Sequence, residues 1–134
     1  MRKLLFPITA AAIALAATPS IAAPRHDADA ELREALAGRV AGKPVDCIPL
    51  TNVTGNTIVT GRAIIYRIGS RLYVNEPRDG GAKQLQRDDI LVTRTISTNL
   101  CRLDVVRLLD RTSRIPHGFV SLGQFVPFTK PKVG

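Results

Sequence analysis

The sequence predicts a mainly β protein: a small single-domain sandwich or partly open barrel of about five to seven strands, with a short N-terminal helix or arm. The length, 134 residues, leaves room for one domain. From Val45 onward, short runs rich in valine, isoleucine, threonine and tyrosine alternate with turn-forming residues, which is typical of strands. The chain also has only two cysteines, Cys47 and Cys101, which we expect to tie two of these strands together.

The first 22 residues have the layout of a signal peptide. Arg2 and Lys3 precede an almost wholly apolar stretch over 4–17, and the small residues Ser20 and Ala22 occupy the positions before a cut. The apolar stretch is shorter than the roughly 20 residues that span a bilayer, so no integral membrane segment is expected after cleavage. We therefore predict cleavage of 1–22 and a periplasmic or secreted product.

The cysteine pair predicts a disulfide bond. An exported chain reaches an oxidising compartment, where Cys47 and Cys101 are expected to bridge. The bridge closes a loop of 54 residues, for which chain entropy gives a stabilisation of about 4 kcal/mol at most. Two separate buried thiols are the alternative. We predict no metal site, because the cysteines lack C-x-x-C spacing.

Residues 23–44 read as an N-terminal arm containing a short helix over 28–37. Leu32, Leu36 and Val40 recur every four residues and give one narrow apolar stripe. An aspartate at 27 or 29 is suited to cap the first turn. Because the stripe is narrow, the segment is expected either to dock weakly or to remain a mobile arm.

The β domain is predicted over 45–128, and its clearest unit is a hairpin from Arg62 to Asn75. Gly69 and Ser70 suit a two-residue type II′ turn. Neither face of the hairpin is wholly polar, so both faces should be at least partly covered. The expected cross-strand pairs are Arg67 with Leu72, Tyr66 with Tyr73, and Ile65 with Val74.

Further strands are expected at 90–96, 103–109 and 119–128. Apolar spacing over 100–110 also fits a helix, but adjacent valines and turn-like flanks favour a strand. Pro127 and Pro131 are expected to stop any strand ladder near the end, which leaves 129–134 as a flexible tail.

Four short motifs resemble a family of small exported bacterial domains of unknown function. They span roughly 47–128, and the resemblance implies export and a compact, cystine-linked β domain, with no activity to transfer. The motifs are Cys47-Ile48, Tyr73-Val74-Asn75, Leu100-Cys101-Arg102-Leu103-Asp104-Val105-Val106, and Leu122-Gly123-Gln124-Phe125-Val126-Pro127.

The sequence does not favour catalysis. His26 falls in the N-terminal lead and His117 in a turn-like segment, so neither is predicted to act as an acid or base. Asp88 and Asp89, with Asp104 or Asp110, could bind a cation or form an acid and base pair, but ordinary surface carboxylates are the preferred interpretation. We predict no catalytic, cofactor-binding or metal-binding residue, and no cofactor.

The excess of basic residues is the feature with functional content. The formal net charge is +8, and Arg62, Arg67 and Arg71, with Tyr66 and Tyr73, form a candidate binding surface for an anionic polymer. Lipopolysaccharide phosphates or nucleic acid would be such a ligand. A solvated basic face is the ordinary alternative, because the arginines form no dense run.

The sequence thus favours an exported, non-catalytic domain that binds a protein or a cell-envelope component. The alternatives are electrostatic binding of an anionic polymer and a small hydrolase using the Asp88 or Asp104 region. Neither the partner nor the oligomeric state follows from the sequence.

Overall fold

The chain folds into a mainly β domain, as predicted. The computed structural model describes residues 26–132, together with Ala17 and Pro19, so the predicted signal peptide and its cleavage point lie outside the described residues apart from those two positions. The described part has ten strands, more than the five to seven expected, because several are only two to five residues long. In chain order the elements are α1 (Ala28–Ala35), β1 (Val40–Ala41), β2 (Cys47–Pro49), β3 (Gly55–Val59), β4 (Ala63–Ile68), β5 (Arg71–Asn75), β6 (Ile90–Thr93), β7 (Asn99–Cys101), β8 (Val105–Leu109), β9 (Pro116–Ser121) and β10 (Phe125–Thr129).

The strands form three antiparallel sheets. The largest has five strands in the order β1-β10-β5-β4-β3, a second pairs β2 with β7, and a third has the order β6-β8-β9. Short 3-10 turns at Leu50–Asn52 and Gly81–Gln84 connect them. Among the described residues, no helix has the length and apolar character needed to cross a membrane.

The central hairpin has the predicted register. All three expected cross-strand pairs of β4 with β5 are present. Gly69 has a φ of 57°, whereas Ser70 is not among the residues with positive φ, and this pattern fits the type II′ turn. Turn chemistry therefore set this pairing locally.

Both faces of the five-stranded sheet are covered, as the hairpin sequence suggested. One face meets the two smaller sheets in a common core, where Ile64 and Phe125 pack with Ile48, Leu100 and Val106. The opposite face is covered by α1. The three sheets thus share one core and form a single small domain.

The N-terminal helix docks on the sheet. Leu32 is 8% exposed and packs with Ile65 and Val74. Asp27 caps the helix by accepting the Ala30 N–H at 3.0 Å. The helix ends at Ala35, two residues earlier than predicted, and Gly38 follows in the left-handed region with a φ of 73°. Arginines from the β domain also hold the helix: Arg62 binds Asp29 and Arg87 binds Glu31.

The predicted strands near the C-terminus are present with shifted bounds. The 90–96 strand ends at Thr93, and the 119–128 strand is two strands, β9 and β10. The predicted 103–109 strand begins two residues later, as β8 at Val105, and the segment is a strand rather than a helix, as the sequence favoured.

The expectation that Pro127 stops the ladder is wrong. Pro127 lies inside β10, opposite Tyr73. Its carbonyl accepts the Gly42 N–H at 2.7 Å on the side away from β5. Because the nitrogen of a strand residue points the same way as its carbonyl, the missing N–H removes no bond to β5.

Candidate binding face

The three-stranded sheet has one buried and one exposed face. Val106, Leu108 and Val120 point into the core and are fully or almost fully buried. Their neighbours point outward, because successive side chains of a strand alternate between faces. Arg107 of β8 lies between Val92 of β6 and Phe119 of β9 in one cross-strand row. We call this exposed side the outer face.

The outer face carries a cleft of about 560 Å³. Exposed apolar side chains dominate it: Leu103 and Val105 are each 52% exposed and Phe119 is 64% exposed. Three of the seven exposed large apolar residues in the described part of the chain are therefore gathered at one place. We call the group the outer cleft, and its lining includes Val92, Arg94, Leu103, Val105, Arg107 and Phe119.

Leu103 has an unusual backbone conformation, with a φ of 74°. It occupies the third position of a four-residue turn closed by the Asp104 N–H, which donates to the Cys101 carbonyl at 3.1 Å. A positive φ at this position is the usual place for glycine. A leucine in the left-handed region costs roughly 1–2 kcal/mol.

The same leucine also forms a β-bulge against Leu122. The Leu103 N–H donates to the Leu122 carbonyl at 2.9 Å, and the Leu122 N–H donates to the Asp104 carbonyl at 3.0 Å. In bulges with this bonding the first residue is normally a left-handed glycine. The turn and the bulge both require the same left-handed conformation at this position, which favours glycine where this chain has an exposed leucine.

The turn that presents Leu103 is held at its start by the disulfide bond. Cys47 and Cys101 are bonded, as predicted, and face each other directly in the β2–β7 pair. The Asp104 carboxylate accepts the Cys101 N–H at 2.7 Å. Asp104 also lines the outer cleft, and its hydrogen bond to the Cys101 N–H stabilises the turn.

Arg94 and Arg107 give the outer cleft a positive charge. Both are exposed, and neither forms an ion pair with any described residue. By contrast, Arg62, Arg87 and Arg102 are each paired with a carboxylate of this chain. The cleft therefore combines exposed apolar groups with two arginines that form no ion pair with the described residues, and with the carboxylate of Asp104 at its edge.

The surface predicted from the sequence is not assembled. Tyr66 is 3% exposed and its ring packs in the core against Phe125, so it presents no face to a ligand. Burial raises the pKa of its hydroxyl. Tyr73 lies in the same sheet face, opposite Tyr66, and is partly buried.

The three arginines of that predicted surface also lie apart. Arg62 donates to Asp29 at 2.6 Å and to Glu76 at 2.8 Å, and the hydrogen bond with Asp29 raises its pKa. Arg67 and Arg71 are exposed, but they occupy successive cross-strand pairs and so point to opposite faces of the hairpin. Arg62 therefore joins α1 to the sheet, and the other two share no surface.

The carboxylates considered for hydrolysis are also separated. Asp104 lies before β8, whereas Asp110 follows it. Hydrogen bonds from Ser113 lower the pKa of Asp110 and assign it to its own turn. Among the described residues, no three histidine, cysteine, aspartate or glutamate side chains lie close enough to hold a metal ion.

One acid and histidine pair does exist, between Asp89 and His117. Asp89 is buried, accepts the Gln86 N–H at 2.9 Å, and lies 2.7 Å from Nε2 of His117. His117 is the extra residue of a β-bulge in β9, which explains how a strand residue turns toward Asp89. The pair satisfies a buried carboxylate, and no hydroxyl or thiol of the described residues is hydrogen-bonded to His117.

Sequence reasoning missed the outer cleft. β8 has apolar residues on both faces, so alternation alone did not show which face is exposed. The adjacent Val105 and Val106 predict a strand but do not show which of the two side chains faces solvent. In the structure Val105 is exposed and Val106 is buried. The turn Cys101–Asp104 was not predicted either, because it contains no glycine and the strand was expected to begin at Leu103.

No family model, curated protein or solved structure matches the chain. The resemblance to small exported domains thus stays a prediction. The outer cleft is the feature of the described chain that points to a function.

Proposed function

We propose that this protein acts after export as a binding domain, and that it holds an apolar, acidic segment of another protein in the outer cleft. This retains the role predicted from the sequence, binding of a protein of the cell envelope, but moves the binding surface. The predicted basic hairpin is replaced by the outer face of the three-stranded sheet.

The conformation of Leu103 carries the proposal. A glycine would relieve the backbone at this position, and the leucine side chain is half exposed, so it gains little from packing within the described chain. Strained residues persist where the surroundings hold them, and they cluster at ligand-binding sites. A partner that covers Leu103 with Val105 and Phe119 would supply the missing burial, at about 25 cal/mol per Å² of apolar surface.

The charges define the chemistry of the partner. Arg94 and Arg107 lie within the apolar lining and lack carboxylate partners among the described residues. Arginine forms bidentate hydrogen bonds with carboxylates. A segment with aspartate or glutamate beside apolar side chains complements both properties, whereas a purely anionic polymer would leave the apolar surface uncovered.

Site-specific photo-crosslinking in the native cell envelope tests this function. A benzophenone amino acid at position 105 should form one reproducible crosslink to a protein, and the same amino acid at Ser70, in the exposed hairpin turn, is the matched control. The crosslinked peptide should contain acidic and apolar residues. Adding Leu103→Gly or Arg107→Glu should each weaken the crosslink about tenfold, as expected for loss of about 1.4 kcal/mol.

Two results would contradict the proposal. Equal crosslinks from positions 105 and 70 would show non-specific contact. A crosslink from position 105 to lipid, polysaccharide or nucleic acid would replace the protein partner with the ligand so identified.

A further inference from the structure

We infer that the partner binds as an extended strand, which pairs with the open edge of β6 and places alternate side chains beside the outer cleft. This inference rests on the proposed function and adds the mode of binding. It also predicts a sequence pattern in the bound segment of the partner, in which an apolar and an acidic residue lie two positions apart.

The residues of β9 that point their N–H and C=O groups toward β8 can be identified, and they determine which residues of β8 and β6 do the same. The Phe119 carbonyl accepts from the Gln84 side chain at 3.2 Å, and the Ser121 carbonyl accepts the Arg78 N–H at 2.9 Å. Both groups therefore point away from β8. Because N–H and C=O directions alternate along a strand, Val120 between them bonds to its β8 partner.

The same alternation reaches β6 through β8. Val106 is opposite Val120 and bonds toward β9, so Arg107 bonds toward β6, where its partner is Val92. The neighbours of Val92, Leu91 and Thr93, then direct their N–H and C=O groups away from the sheet. No hydrogen bond to these groups is found within the described residues.

The open edge lies directly beside the outer cleft. β6 is an end strand of its sheet, and Val92 and Arg94 both line the cleft. A strand added to this edge would lie about 4.8 Å from β6. Its side chains on the outer face would then meet Val92 with one residue and Arg94 with the next residue but one.

Backbone pairing also accounts for how a small cleft can bind a segment of protein. Strand addition draws affinity from main-chain hydrogen bonds and specificity from pockets for alternate side chains. Leu91 and Thr93 supply the hydrogen-bonding groups, while Val92 and Arg94 select the side chains. Natural proteins usually protect open edges, and here the apolar cleft beside the edge favours a partner instead.

A synthetic peptide tests the mode of binding on the folded, disulfide-bonded protein. The probe is acetyl-Glu-Thr-Val-Thr-Glu-Thr-Val-amide, whose glutamates and valines share one face. NMR titration at millimolar peptide should shift the amides of Leu91 and Thr93, and their hydrogen exchange should slow about tenfold as they become bonded. A peptide with lysine in place of both glutamates is the matched control, and should bind at least about tenfold more weakly because it meets Arg94 with a like charge.

Two further probes isolate the backbone contribution. N-methylation of alternate amides of this peptide removes N–H donors and keeps every side chain. The methyl groups can be placed on either of the two alternate sets of amides. Only the peptide whose methylated amides face β6 should lose binding, because the amides of a strand point alternately to its two sides. Thr93→Pro removes an N–H that faces the open edge, so the β6–β8 bonds should persist. This variant should unfold at nearly the wild-type urea concentration yet bind the peptide about tenfold more weakly.

The outcomes separate the two proposals. Shifts confined to Val105 and Phe119, with Leu91 and Thr93 unaffected, would overturn strand addition while supporting the outer cleft as a binding site. Absence of shifts in both regions, together with no position-105 crosslink, would overturn both. Equal binding of the glutamate and lysine peptides would overturn the acidic pattern.

Discussion

The side chain of Asn75 forms both of its amide hydrogen bonds with the backbone of Gly123. Nδ2 donates to the Gly123 carbonyl at 2.8 Å, and the Gly123 N–H donates to Oδ1 at 3.0 Å. Asn75 is fully buried at the end of β5, and Gly123 lies just before β10. The pair therefore joins the central hairpin to the loop that leads into its neighbouring strand.

This contact gives a structural role to two of the short motifs singled out in the sequence. Two of the four motifs contain Asn75 and Gly123, and two others contain Cys47 and Cys101. Each pair of motifs meets in the structure through a bond, one by an amide and one by a disulfide. These short motifs thus supply bonds that maintain the fold.

Replacing Asn75 should destabilise the protein without changing the outer cleft. Asn75→Ala leaves the N–H and C=O of Gly123 buried without their partner, and we expect a loss of about 2–3 kcal/mol in the free energy of unfolding. Urea denaturation measures the loss, and Asn56→Ala, at an exposed position of β3, should change stability by less than about 0.5 kcal/mol. Equal effects of the two substitutions would show that the buried bonds contribute little.

Loss of the disulfide bond should lower stability by a larger amount. The double substitution Cys47→Ala and Cys101→Ala opens a loop of 54 residues, and we expect a loss approaching about 4 kcal/mol. The comparison is between urea midpoints of this variant and of wild type with and without reductant. Identical midpoints for oxidised wild type and the variant would contradict the expected role.

Leu103→Gly should stabilise the isolated protein while weakening partner binding. Glycine relieves the left-handed backbone, and after its greater chain entropy is subtracted the gain should be about 0.5–1 kcal/mol. Leu103→Ala is the matched control, because it removes the side chain and keeps the strained conformation. Thermal unfolding should rank glycine above wild type, and alanine no higher than wild type.

The opposite ranking would mean that Leu103 stabilises its own domain. In that case its exposed side chain would no longer point to a partner. Binding of the peptide probe by both variants, measured in the same preparations, shows whether stability and affinity change in opposite directions.

Tyr66 should make the protein sensitive to alkaline pH. Burial raises the pKa of its hydroxyl, while an unfolded tyrosine titrates near about 10. Above that pH the unfolded chain releases a proton that the folded protein retains, so stability falls by up to about 1.4 kcal/mol per pH unit from this group. Below it both states hold the proton, and the contribution vanishes.

Tyr66→Phe removes this pH dependence. The Tyr66 hydroxyl has no hydrogen-bond partner among the described residues, so the variant should be as stable as wild type or about 1 kcal/mol more stable at pH 7. At pH 11 its advantage should grow. Urea unfolding at both pH values checks this, with Tyr73→Phe as a control for removing a hydroxyl from the hairpin, and an advantage that does not grow would contradict it.

Several elements could be predicted from residues that are close together in the sequence. The Gly69-Ser70 turn determined the register of β4 with β5, and Asp27 capped the helix from a position next to it. The identity of the bonded cysteines followed from there being only two. The residues that determine the turn and the helix cap are neighbours in sequence, and two cysteines allow only one pairing. These features could therefore be predicted without knowing the packing of distant residues.

Tertiary structure alone decided where a partner could bind. Val105 and Val106 are chemically identical, yet the core covers one and leaves the other 52% exposed. Tyr66 was predicted to lie on a binding surface, but it is buried in the core between the sheets. Pro127 fits in β10 because its nitrogen faces away from β5. The sequence by itself determined the mainly β class, the central hairpin and the cysteine pair. The exposed face, and with it the outer cleft, arose only when three sheets packed together, because burial depends on residues far away in the chain.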